Sequence, residues 1–133
     1  MHRPYPNVFA RYFGSPLAVV ILYNFYTFKM MLSKNNTLID DIKTARKAGF
    51  TIEFAYRDNR IFCRNTNKSY GHEDCLLLEH CRHEGMNDPG DASILFLIQC
   101  KDGSKGYLSS AYGVYADTDL IDFVLSLRKA EQT

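Results

Sequence analysis

The sequence has no C-x-x-C pair, no Walker phosphate loop, no G-x-S-x-G elbow and no excess of either charge. Each absence removes a class of function. Without C-x-x-C pairs the spacing of a zinc ribbon or finger is missing. Without a Walker loop no Gly-rich backbone cradles nucleotide phosphates, and without the elbow there is no α/β-hydrolase nucleophile. Basic side chains number 16 and acidic ones 15, for a net charge of +1. Nucleic-acid backbones are met by clustered Lys and Arg, so no nucleic-acid partner is expected. There are no internal repeats and no low-complexity segments. The apolar run from Leu17 to Phe28 is interrupted by Asn24 and falls short of the roughly 20 residues a membrane-spanning helix needs.

What remains describes an ordinary globular domain. The chain has 133 residues, of which 46% are hydrophobic and 23% charged, enough for one small core. Its cysteines, Cys63, Cys75, Cys81 and Cys100, all lie in or beside apolar runs, where a thiol serves as a small buried hydrophobe. That reading implies reduced thiols and a cytoplasmic protein. Residues 1–30 differ from the rest, with Arg3 and Arg11 ahead of an apolar and aromatic run. Three readings compete for them: a start codon placed too far upstream of Met30 or Met31, a structured extension, and a targeting leader. The single domain is expected over residues 31–133. No membrane association is expected unless the first thirty residues are a leader.

Within the domain, Thr37 offers a cap for a helix from Thr37 to Ala48, with Asp40 and Asp41 in its first turn and Arg46 and Lys47 in its last. Its apolar stripe reads Leu38, Ile42 and Ala45. Phe50, Ile52, Phe54 and Tyr56 then alternate with polar residues as a half-buried strand does. Asp58-Asn59 is a hairpin turn signal leading to a return strand over Arg60–Arg64. Further strands are expected over Leu76–His83, Ser93–Cys100 and Lys105–Ala111, with Gly103 in the turn between the last two. Tyr70–Asp74 reads as irregular or as a single helical turn. Asp117 or Thr118 caps a final helix rich in Leu, Ile, Phe and Val. The predicted order is α-β-β-β-β-β-α. This is an α+β two-layer sandwich with a mainly antiparallel sheet of five strands, both helices on one face, and aromatics such as Tyr107 or Phe96 on the other. An open face of that kind would suit a homodimer.

Several constellations could carry chemistry. His72, Cys75, His80, Cys81 and His83 concentrate zinc-type donors. On one strand His80 and Cys81 point to opposite faces, whereas Cys81 and His83 share a face. The metal candidates are therefore His72, Cys75, Cys81 and His83, against a plainer reading of a buried Cys81 among polar strand residues. The loop Glu84–Asp91 gathers carboxylates but lacks the spacing of a calcium loop, and Asx turns explain it as well. Leu38–Thr44 has two acids after apolar residues, like a phosphoribosyl pyrophosphate loop, but Ala45-Arg46-Lys47 follows where Gly-Gly is needed to bind phosphate. Ser109-Ser110 beside Tyr112 offers hydroxyls without an identifiable base.

Three stretches carry a family resemblance: Glu84–Phe96, Lys101–Gly106 and Ala111–Asp117. The region from Met31 to Lys129 resembles a family of short bacterial proteins often labelled phosphoribosylpyrophosphate synthetase. The resemblance leaves the first thirty residues uncovered. It implies a phosphoribosyl or nucleotide ligand and supplies no catalytic residues. Synthetase chemistry itself needs ATP and ribose 5-phosphate aligned on a larger doubly wound α/β chain with phosphate loops. This sequence has neither the loops nor a βαβ pattern.

The sequence therefore points first to a non-enzymatic binding or interaction module, needing no cofactor, with a protein or small-molecule partner. The alternatives are a metal-binding protein or small enzyme that uses zinc at the His/Cys cluster, and a phosphoribosyl or nucleotide binder. Candidate ligand contacts are His72, Glu84, Asp88, Asp91 and Tyr112.

Overall fold

A computed structural model describes residues 30–84 and 92–129. Readings that fall on the apolar N-terminal run, and on Asp88 and Asp91, lie outside the described residues. The elements in chain order are helix α1 (Leu38–Lys47), strands β1 (Ile52–Arg57), β2 (Arg60–Cys63) and β3 (Ser69–Tyr70), and a 3₁₀ turn at His72–Asp74. Strands β4 (Cys75–His83), β5 (Ser93–Cys100) and β6 (Lys105–Ala111) follow, then helix α2 (Thr118–Leu125) and strand β7 (Arg128–Lys129).

Local chemistry sets most of these boundaries. The Thr37 hydroxyl accepts the Asp40 N–H at 3.0 Å and starts α1, and Asp117 caps α2 through the Leu120 N–H at 3.1 Å. Asp58 and Asn59 both have positive φ, 53° and 63°, the backbone that a tight two-residue hairpin requires.

The expected five-stranded, mainly antiparallel sheet is not what forms. Among the described residues the sheet has seven strands in the order β3-β2-β1-β6-β5-β4-β7, and it is mixed and curled into a half-barrel. Two antiparallel sets, β1–β3 and β4–β6, are joined where β1 runs parallel to β6 through Ile52↔Gly106 and Glu53↔Tyr107. A second parallel contact places β7 beside Leu76 and Leu77 of β4. Nothing local in a sequence marks a pairing between segments this far apart, and two-residue strands are too short to show a period.

The helices also lie on opposite faces rather than on one. Ile94, Phe96, Ile98 and Cys100 of β5 share a core with Leu120, Ile121, Phe123 and Val124 of α2, and with Phe54 and Ile61. Leu95 and Leu97 point the other way, and both are completely buried, with α1 packed against β5 and β6. Phe96, expected on an open face, has no exposed surface. Burial of each such side chain stabilises the fold by about 1.5–3 kcal/mol.

One irregularity decides where chemistry can occur. The β4–β5 register shifts between Leu77 and Glu79, a β-bulge that adds Leu78. Before it, Cys75 and Leu77 face α2. After it, Glu79, Cys81 and His83 pair with Leu97, Leu95 and Ser93 and so face α1. A one-residue slip reverses the face of every later side chain.

Tyr70 closes the far end of the sheet. Its hydroxyl donates to Asp102 Oδ2 at 2.8 Å and lies 3.2 Å from Ser104 Oγ. Burial pushes its pKa from 10.0 up to about 12. Burial also works on Asp102, but N–H and hydroxyl donation from Ser104 and Tyr70 outweighs it and holds that carboxyl below its usual range. Because the folded state keeps the phenol protonated longer than the unfolded chain does, stability falls as pH rises from 10 to 12. Urea midpoints measured across that window are expected to fall more steeply for the wild type than for Tyr70→Phe. Parallel profiles would contradict the assignment.

Candidate functional site

Four polar side chains are buried among the described residues: Asp41, Glu79, His83 and Gln99. Three of them come together, Asp41 on α1 with Glu79 and His83 on β4. Burying charge is costly unless every group is matched, so this concentration calls for an explanation.

Asp41 is the hub. It has no exposed surface and faces inward from α1 together with Ala45. Its Oδ2 accepts the Ser33 N–H at 3.0 Å and lies 2.7 Å from His83 Nε2. Its Oδ1 accepts from Asn36 Nδ2 at 2.8 Å. A carboxylate only accepts, so His83 Nε2 carries the proton in this contact. The other imidazole nitrogen, Nδ1, is buried and has no hydrogen-bond partner among the described residues.

Glu79 holds the segment ahead of α1. Its two oxygens accept the Met31 and Leu32 N–H groups at 3.1 and 2.9 Å. Burial raises its pKa above the usual carboxylate range, and the neighbouring charge of Asp41 adds to this, while the two N–H donors pull it back. Cys81 lies between the two acids. Its thiol pKa is raised by burial first, and then by the charges of Asp41 and Glu79. One donor atom each from Asp41, Cys81 and His83 lies within 4.8 Å of the other two.

A groove of about 770 Å³ runs along the outer edge of β4 next to this cluster. Among the described residues, strand β7 pairs with that edge at Leu76 and Leu77. Leu32, Ile94, Tyr112 and Leu125 line the groove, together with Cys81 and Glu79. The Arg82 guanidinium lies 5.1 Å from the Tyr112 ring centroid and 2.9 Å from Glu84. Lys34 also lines the groove. Burial, and then Lys129, lowers the pKa of His80 on the groove side.

The four metal candidates do not converge. Cys81 and His83 come together, as a shared strand face implies. Cys75 lies before the bulge, on the opposite face, with its Sγ 3.8 Å from Cys100 Sγ. His72 Nε2 lies 2.8 Å from Ser126 Oγ and 3.0 Å from the Ser126 carbonyl, with its ring edge-on to Phe123. It belongs to the packing of α2. Among the ligand candidates, Glu84 and Tyr112 line the groove and His72 does not.

Sequence reasoning missed Asp41, Glu79 and Lys34. Asp41 had a legible signal, since it falls three residues after Leu38 and four before Ala45, on the inward stripe of α1. Glu79 had none, because its face depends on the bulge.

Fold and site together define an α+β domain on a mixed, curled sheet with a buried acid–histidine pair and a half-buried thiol beside a groove. Comparison with protein-family models, curated proteins and solved structures finds no match. No helix among the described residues is long and apolar enough to cross a membrane.

Proposed function

We propose that this protein is a non-enzymatic binding module that takes a small ligand with an apolar body and one anionic group into the groove along β4. The observation that carries this reading is the groove's lining. Leu32, Ile94, Tyr112 and Leu125 supply apolar wall, and a few fixed polar groups supply orientation, the usual make-up of a small-molecule site. The local charges are largely matched: Arg82 by Glu84, and Glu79 by two N–H groups. Lys34 lines the groove without an ion pair among the described residues, so an anionic head has a place to settle. Binding fits the groove better than nucleophilic catalysis does, because the raised pKa of Cys81 keeps it a thiol rather than the thiolate that attacks.

The test is a titration with decanoate, followed by thermal melting and calorimetry. Decanoate is expected to raise the melting temperature, and its neutral amide to bind more weakly. Lys34→Glu lies on an exposed side chain and should keep the fold while weakening decanoate about two- to fivefold, the scale of one exposed charge pair. Ribose 5-phosphate carries the anion without the apolar body and should bind less well than decanoate. No response to millimolar decanoate, or equal binding by Lys34→Glu, would refute the reading.

A further inference from the structure

We infer that Asp41, Cys81 and His83 form a binding site for a divalent transition-metal ion of the zinc class. This site is independent of the groove ligand.

The Asp41–His83 contact alone ties α1 to β4, and it accounts for one imidazole nitrogen and the carboxylate. It does not account for two further facts. The His83 side chain is 5% exposed and its Nδ1 has no partner among the described residues, so the ring proton can sit on Nδ1 and leave Nε2, the nitrogen beside Asp41, free to bind an ion. Cys81 is carried to the same point by the bulge, on a face where a plain hydrophobe would pack against Leu95.

The donor set selects the ion. Thiolate, imidazole and carboxylate together suit zinc and its neighbours, whereas calcium and magnesium take oxygen alone. Zinc holds sulfur at about 2.3 Å and nitrogen or oxygen at about 2.0–2.2 Å, which sets donor atoms roughly 3–4 Å apart. The donors of Asp41, Cys81 and His83 lie within 4.8 Å of one another, so small side-chain rotations close the site. The Cys81 thiol enters as thiolate and its proton passes to solvent, while the His83 proton moves from Nε2 to Nδ1, so that Nε2 gives up its hydrogen bond to Asp41 and takes the ion. Asn36 Nδ2 and the Ser33 N–H hold Asp41 from behind, the second layer of hydrogen bonds that metal sites use to orient their ligands. A dication also offsets the two buried acids, Asp41 and Glu79. Three protein donors leave a fourth position, and Cys81 sits in the groove wall, so the ion has an entry path.

The test uses the untagged full chain, stripped with a chelator and titrated with zinc and then cobalt(II). One equivalent per chain is expected, with a thiolate-to-cobalt charge-transfer band in the near ultraviolet. Cys81→Ser, whose folding is checked by circular dichroism, should lose the band, and His72→Ala should keep it. On the wild-type chain, one equivalent of zinc should slow alkylation of Cys81 at least tenfold, read by peptide mass spectrometry. No cobalt band in the folded wild type, a band that survives Cys81→Ser, or an unchanged alkylation rate would each overturn the site.

Discussion

Gly106→Ala is expected to cost above about 4 kcal/mol, a large share of the about 5–15 kcal/mol that holds such a domain folded. A Cβ at this position would lie 2.2 Å from the Ile52 carbonyl oxygen, 2.9 Å from its carbon and 2.6 Å from the Phe54 ring. Two of those atoms are backbone, so no rotamer change relieves the clash. Ordinary overpacking costs about 1–3 kcal/mol because side chains give way; here the strands themselves must separate. They separate at the one place where β1 meets β6, and that junction joins the two halves of the sheet. Gly71→Ala is the matched control. Its Cβ would meet only the Arg60 and Asp74 side chains, at 3.5 and 3.7 Å, an ordinary contact distance, and it should cost under about 1 kcal/mol. Urea denaturation of both variants separates a steric junction from a general dislike of alanine. Near-equal midpoints would refute the junction.

Asp41→Ala should cost about 3–5 kcal/mol, since each donor left away from water without its acceptor costs about 1–3 kcal/mol. The substitution leaves His83 Nε2, Asn36 Nδ2 and the Ser33 N–H without their acceptor, in a place where water does not replace it. Asp41→Asn keeps the shape and part of the hydrogen bonding, so it should fall between alanine and wild type. A second substitution, His83→Leu, made in the Asp41→Ala background should cost less than it does alone, since the two residues share one interaction. Chemical denaturation of the four proteins measures the coupling. A cost below about 1 kcal/mol for Asp41→Ala would mean that the hub does not hold α1 to β4.

The parts of this fold that were legible in the sequence are those that local chemistry dictates. Thr37 and Asp117 cap their helices, Asp58-Asn59 turns its hairpin, and the runs at Ser93–Cys100 and Lys105–Ala111 are strands. Illegible were the features set by distant pairing. The parallel meeting of Ile52 with Gly106 gives no periodic signal. The edge strands Ser69–Tyr70 and Arg128–Lys129 are too short to show one. The near-continuous apolar run of β5 already implied burial on both faces, as such runs do. Reading it as one-sided placed both helices together and left Phe96 open.

The site shows the same division. That Cys81 and His83 share a face follows from the period of a strand, and it holds. That Cys75 does not join them follows from one inserted residue, Leu78, which no pattern in an apolar stretch of three leucines reveals. Asp41 was read as a charge suited to the start of a helix. Its position on the inward stripe was the stronger signal, because a carboxylate there has to be matched by something buried.

The central claim is that the open end of β4 is where this protein binds its ligand. Amide correlation spectra recorded during a decanoate titration test it most directly. Shifts concentrated at Leu32, Ile94, Tyr112 and Leu125 are the expected result. Shifts centred instead on the polar concavity formed by Asp58, Asp117 and Asp119, or no saturable shift at all, would contradict it.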